Sequence, residues 1–183
     1  MKKTAYITVI GTLPTPARFD LDETRLLGEV IASGNSNKST NFNYAAVNNE
    51  AQLQDMVQSP NFVGTRIVCA EKLFKKYIFF DGLTCLPNLP GFTSFDVDAD
   101  NCSSQFLALQ LALYIKLDTV FLLGYDISKT KELELLKSTM RSNPNTKFVY
   151  VCNPPRTNQL DDLPNGSCMF YAKLQELIDA NKQ

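Results

Sequence analysis

The stretch DNCSSQFLALQLALYIKLDTVFLLGYDIS, residues 100–128, decides the fold class of this chain. Its first half predicts a helix over 103–116 that is apolar on nearly all sides, and such a helix is buried between layers. Its second half, TVFLLGYD (119–126), predicts a buried strand that ends in Gly-Tyr-Asp. A buried helix that leads into a buried strand favours a parallel sheet covered by helices.

The same alternation of strand and helix patterns extends along the rest of the chain. Apolar and β-branched runs predict further strands at residues 5–11, 29–35, 42–49, 65–70, 76–82 and 146–154. Helical patterns are predicted at 21–28, from about 51, at 130–142 and at 166–182, and the prolines in 83–92 indicate a loop. We therefore expect one Rossmann-like α/β domain over 1–183, with a mostly parallel sheet and helices on both faces.

Composition excludes several classes of protein. With 183 residues, 44% of them hydrophobic, and a formal net charge of −1, the chain is large enough for a continuous core. It lacks the basic excess of nucleic-acid-binding and anionic-membrane-binding proteins. No apolar run reaches the length of about 20 residues that a membrane span needs.

The expected location is the cytoplasm. The five cysteines are odd in number and contain no C-x-x-C pair, so neither a disulfide framework nor a zinc site is expected. The opening MKKTAYITVIGTLPTP has too short an apolar run for a signal peptide, and prolines follow it.

The chain contains no histidine. Histidine is the commonest general base and a frequent metal ligand at neutral pH. Any catalysis must therefore use carboxylates, Lys, Tyr, Cys or bound groups.

Amide side chains stand where four predicted strands end. In parallel sheets, ligands bind beyond the carboxyl ends of the strands, where the strand order switches. The amides expected at this rim are Asn35, Asn48, Asn49 and Asn153. They can bind a base or a ribose because each offers donors and an acceptor. The alternative is that they are ordinary turn and helix-cap residues.

Ser103 and Ser104 stand at the start of the apolar helix. Their hydroxyls suit a helix N-cap, and the same place suits a phosphate or carboxylate because of its free N–H groups. Both interpretations stay open from the sequence.

The alternating acids Asp96, Asp98 and Asp100 suit either a solvated edge or a divalent cation beside a nucleotide. We favour the solvated edge, so no metal cofactor is expected. GTLPTP (11–16) is neither G-x-G-x-x-G nor a P-loop, which removes the usual support for NAD or ATP.

These motifs together resemble the bacterial lipo-oligosaccharide sialyltransferases over most of the chain. VIGTLPTP (9–16) is similar to the family's Gly-Asn-Gly-Pro-Ser loop, two strands end in Asn, and a Ser opens a helix that leads to a strand ending in Gly-x-Asp. The matching positions are Gly11, Thr15, Asn35, Asn48 (or Asn49), Ser103, Gly124 and Asp126.

The resemblance implies a Rossmann-like glycosyltransferase that binds a CMP-sugar. It implies that the nucleotide contacts the first loop, the strand-end amides and the serines before the helix. Residue reasoning and the resemblance together give the candidate binding set Gly11, Thr12, Thr15, Asn35, Asn48, Asn49, Ser103, Ser104 and Asn153. Asp126 is the candidate catalytic base, with a structural turn cap as its alternative.

This sequence departs from the family at several points. Thr12 and Leu13 replace Asn and Gly in the first loop, and Gln105 stands where Gly is expected. The family's lid, with its catalytic His, has no counterpart after Asp126. Two hypotheses result: a minimal, sialyltransferase-like glycosyltransferase, or a non-catalytic nucleotide-binding or interaction module of the same fold. The expected partners are a nucleotide or nucleotide sugar, with a homo-oligomer left open.

Overall fold

The computed structural model describes residues 6–34, 42–58, 66–77, 79, 83–85, 102–115, 118–155, 157 and 159–182. The strands are β1 (Tyr6–Ile10), β2 (Gly28–Ser33), β3 (Tyr44–Val47), β4 (Arg66–Cys69), β5 (Leu83–Cys85), β6 (Thr119–Leu123), β7 (Lys147–Cys152) and β8 (Gly166–Phe170). These eight strands form one sheet in the order β5-β4-β3-β2-β1-β6-β7-β8. Every neighbouring pair is parallel, which confirms the predicted Rossmann-like α/β class.

Helices cover both faces of the sheet, as predicted. They are α1 (Glu50–Val57), α2 (Glu71–Lys76), α3 (Ser104–Ile115), α4 (Thr130–Ser142) and α5 (Tyr171–Ala180), with a short 3₁₀ helix at Asp22–Leu26. α3 and α4 share a core with Val9 and Leu122. α1 and α2 pack around Ile10, and α5 packs around Leu123. Because successive strand residues point to opposite faces, these cores lie on opposite sides of the sheet.

α3 and β6, which the 100–128 stretch supplies, lie at the centre of the part of the molecule that the structure describes. All five residues of β6 are buried, as a parallel strand covered on both faces requires. α3 packs across β1, β2, β3 and β4, and most of its residues are buried, including the polar Ser104 and Gln105.

The predicted strand at 76–82 is wrong for the residues described there. Lys76 ends α2, and Tyr77 donates its backbone N–H to the carbonyl of Leu73 as the helix C-cap. The loop predicted from residue 83 is also wrong at its start, because Leu83–Cys85 forms the edge strand β5. A parallel pair needs a crossover between its strands, and α2 supplies it between β4 and β5.

The end of the chain also differs from the prediction. The expected helix at 166–182 begins only at Tyr171, and its first part is β8, so β7 is not the last strand. Gly166 suits the start of this strand because a Cβ there would lie 2.6 Å from Cε of Met140. The open edge of β7 binds the backbone of this segment, an outcome that local helical pattern does not reveal.

Candidate functional site

The strand order reverses between β1 and β6. From β1 the chain builds outward through β2 to β5, and it then returns to the other side of β1 with β6, β7 and β8. In open α/β sheets, the ligand crevice lies beyond the carboxyl ends of the strands at this reversal. The loops that leave β1 and β6 therefore decide what the crevice can hold.

Backbone contacts close the two loops against each other. The N–H of Gly11 donates to the Leu123 carbonyl at 2.7 Å, and the N–H of Leu13 donates to the Gly124 carbonyl at 2.9 Å. A Cβ on Gly11 would lie 2.3 Å from the oxygen of Gly124, which itself has a φ of +57°. Gly11 thus allows close approach of protein backbone, and Gly124 adopts a conformation that favours glycine.

The Gln105 side chain fills the space between these loops and is only 2% exposed. Its Oε1 accepts the N–H of Asp126 and its Nε2 donates to the Asp126 carbonyl, both at 2.9 Å. The Thr12 hydroxyl also donates to Oε1, at 3.4 Å. Gln105, at the position where the resembled family has Gly, therefore ties both loops to α3.

The carboxylate of Glu132 lies at the N-terminus of α3. The Ser103 hydroxyl accepts the N–H of Phe106 at 3.2 Å, which is an N-cap, and donates to Oε2 of Glu132 at 2.9 Å. Gln105 Nε2 donates to the same carboxylate oxygen at 3.2 Å. Negative charge stabilises a helix N-terminus, and Glu132 of α4 supplies it here. Ser104 is buried, with its Oγ 2.9 Å from where a Cβ on Gly34 would lie.

Asn48 and Asn49 follow β3 and make contacts within the protein. Asn49 is the N-cap of α1, with its Oδ1 accepting the N–H of Gln52 at 3.0 Å. Asn48 Nδ2 donates to the Cys102 carbonyl at 2.9 Å. Together with Lys72 and Lys76, both residues also line a separate hollow of about 240 Å³.

The expected rim residues that the structure describes do not all gather at one point. β2, β1 and β6 lie between β3 and β7, so Asn48 and Asn153 are about 19 Å apart at ordinary strand spacing. Thr15 borders another shallow hollow, formed by residues 15–21. Asn35 and the acids Asp96, Asp98 and Asp100 lie outside the described residues.

A cleft of about 400 Å³ lies beyond the carboxyl ends of β6 and β7. It brings two of the expected site residues, Asp126 and Asn153, to one place. The described lining is Leu13, Pro14, Gly124, Asp126, Ile127, Ser128, Tyr150, Val151, Cys152, Asn153, Pro155, Thr157, Gln159 and Tyr171. Its size falls in the range of small-molecule sites, which makes it the candidate functional site.

Asp126 forms one wall of this cleft and is half-buried. Its Oδ1 accepts the N–H of Ser128 at 2.9 Å and the Ser128 hydroxyl at 2.6 Å. These bonds lower the pKa of the Asp126 carboxyl, although partial burial opposes them. The carboxylate is therefore ionised at neutral pH and caps its own turn.

Two tyrosines that line the cleft bind the backbone beside it. The Tyr150 hydroxyl donates to the Tyr125 carbonyl at 3.1 Å, and the Tyr171 hydroxyl accepts the N–H of Gly124 at 3.2 Å. Burial raises the pKa of each phenol to about 12, so both stay neutral. Sequence reasoning missed them, because Tyr171 had been placed inside a continuous helix and Tyr150 inside a core strand.

The chain matches no family model, no curated protein and no solved structure. No helix among the described residues is both long and apolar enough to cross a membrane. The same residues contain no cluster of three or more Cys, Asp or Glu side chains that could hold a metal ion.

Proposed function

We propose that this protein is a non-catalytic module that binds a nucleotide or nucleotide sugar in the cleft beyond β6 and β7. The observation that carries the proposal is the cleft itself, which borders the reversal of strand order and includes Asp126 and Asn153. The resemblance to the sialyltransferases supports a CMP-linked ligand. A cytoplasmic location belongs to the same proposal, on the composition of the chain.

The state of Asp126 argues for binding without transfer. A general base works best with a pKa near the working pH, and hydrogen bonds from Ser128 move the pKa of Asp126 away from it. The chain has no histidine to take over this role. Near the strand reversal, the Glu132 carboxylate already accepts a hydrogen bond from Ser103 of the α3 N-cap. The Gln105 side chain already donates to the Asp126 carbonyl of the loop after β6.

Calorimetric titration with CMP, CMP-sugars and UDP-sugars tests the binding. We expect one of these ligands to bind with a Kd in the micromolar to millimolar range, which corresponds to a binding free energy of about 4–8 kcal/mol. Asn153→Ala should weaken it about tenfold, which corresponds to about 1.4 kcal/mol. Asn145→Ala is the matched control, because Asn145 is also exposed but precedes β7 at its opposite end. Absence of heat and of thermal stabilisation with all ligands would refute the proposal.

Glycosyl transfer is the second candidate function, and Asp126 favours it by its position in the cleft wall. In that case the protein should release free CMP or UDP from a nucleotide sugar when an acceptor is present. Asp126→Asn keeps an oxygen that can accept from Ser128 and should reduce the rate by about 10²-fold or more. Turnover lost in this folded variant would establish the transferase and overturn the non-catalytic proposal.

A further inference from the structure

The cleft presents polar groups that no other described residue uses. Both hydrogen bonds to the Asp126 carboxylate go to Oδ1, and no described residue binds Oδ2. The side-chain amides of Asn153 and Gln159 line the cleft, and neither bonds to another part of the described chain. One carboxylate oxygen and two amides are therefore available to a ligand.

The charge of the described lining residues disfavours a phosphate. Asp126 is ionised at neutral pH, and the described lining residues include no Lys or Arg. The positive charge of Lys129, which is not among these lining residues, also lowers the pKa of Asp126. A phosphate placed among these groups would face a carboxylate of the same sign.

Apolar surface lies beside the polar groups. Leu13, Pro14 and Pro155 are exposed and line the cleft, and Tyr150 and Tyr171 line it as well. An apolar wall with a few convergent polar groups is typical of small-molecule sites.

We infer that the cleft recognises the ribose hydroxyls and the ring of a nucleoside, and that the phosphate of the ligand points away from it. Oδ2 of Asp126 accepts hydrogen bonds from the two vicinal hydroxyls, while Asn153 and Gln159 bind the remaining polar edge. This inference names the bound part of the ligand and rests on the proposed function.

Paired titrations test it, with cytidine against CMP, uridine against UDP, and inorganic phosphate alone. The nucleoside should bind within about threefold of its nucleotide, and phosphate alone should give no heat. Raising NaCl from about 50 to 500 mM should change the Kd less than about twofold, because no phosphate contact is screened. The 2′,3′-dideoxynucleoside should bind at least about tenfold more weakly than the nucleoside.

The Asp126→Asn variant tests the same inference by changing the protein instead of the ligand. It retains an acceptor for Ser128 but can place an amide NH₂ where the free oxygen lies, so nucleoside affinity should fall about tenfold. Asn145→Ala should leave the affinity unchanged. Equal affinity of Asp126→Asn and the unchanged protein would overturn the inference.

A nucleotide that binds about tenfold or more tightly than its nucleoside would also overturn it. Arg156 stands between the lining residues Pro155 and Thr157 in the sequence and lies outside the described residues. If Arg156→Gln abolishes such an advantage, the cleft recognises phosphate through this arginine. If neither nucleosides nor nucleotides bind, the proposed function fails instead, so the two failures are distinguishable.

Discussion

Replacing Gln105 with Ala should destabilise the protein strongly, although Gln105 is a polar residue on a helix. Its amide joins the loop after β1, the loop after β6 and the first turn of α4 through Thr12, Asp126 and Glu132. The two bonds to the Asp126 backbone contribute about 1 kcal/mol each, and the bond to the Glu132 carboxylate contributes about 1.5 kcal/mol. Gln105→Ala should therefore lower the free energy of unfolding by about 3.5 kcal/mol.

Urea and thermal unfolding measure this loss. For a chain of this length, about 3.5 kcal/mol corresponds to a fall in Tm of about 7–14 °C. Gln110→Ala is the matched control, because Gln110 lies on the same helix, is half-buried, and makes no side-chain hydrogen bond with the described part of the chain. The control should change the free energy of unfolding by less than about 0.5 kcal/mol.

A double-mutant cycle identifies the cause of the loss. Gln105→Ala and Glu132→Ala should be non-additive by about 0.5–1.5 kcal/mol, because they remove the same hydrogen bond. A loss below about 1 kcal/mol for Gln105→Ala would refute the reasoning, since it would mean that water replaces the amide at no cost.

Three further perturbations test other parts of the structure. Tyr125→Phe should leave stability unchanged or raise it by about 1 kcal/mol in urea unfolding, because the buried Tyr125 hydroxyl has no hydrogen-bond partner among the described residues. Asn165→Ala should cost about 1–2 kcal/mol by thermal denaturation, because Asn165 Nδ2 donates to three carbonyls at and beyond the end of α4. Burial raises the pKa of Tyr150 and Tyr171 from 10.0 to about 12, so the unfolded chain releases these protons first. Their contribution to stability is complete below pH 10 and is lost as the pH rises towards 12, where tyrosinate absorbance should appear together with unfolding.

The elements that sequence predicted best are those with an unambiguous pattern. The apolar helix and the strand at 119–126 were confirmed as α3 and β6, because a continuous apolar run of each length has few alternatives to burial. The amphipathic helix at 130–142 was confirmed with the same bounds as α4. Predictions failed at 76–82 and at the start of 166–182, where short apolar runs suit helix and strand equally well.

The candidate site was only partly accessible from sequence. Asp126 and Asn153 were expected at strand ends, and the structure places both in one cleft. Asn49 and Ser103 were expected either to bind a ligand or to cap helices, and the structure shows both as caps. Whether Asn48, Gly11 and Thr12 also contact a ligand stays a prediction for the titrations to test.

The sequence by itself determined the fold class of this protein, because the period and length of its apolar runs specify which segments are buried and in what order they alternate. Tertiary structure alone decided where the cleft lies and what closes the crevice between β1 and β6. Thr12 and Gln105 are 93 positions apart, and β8 pairs in parallel with β7 although its local pattern is helical. Local sequence patterns do not predict such pairings, since these depend on which distant segments the sheet brings together.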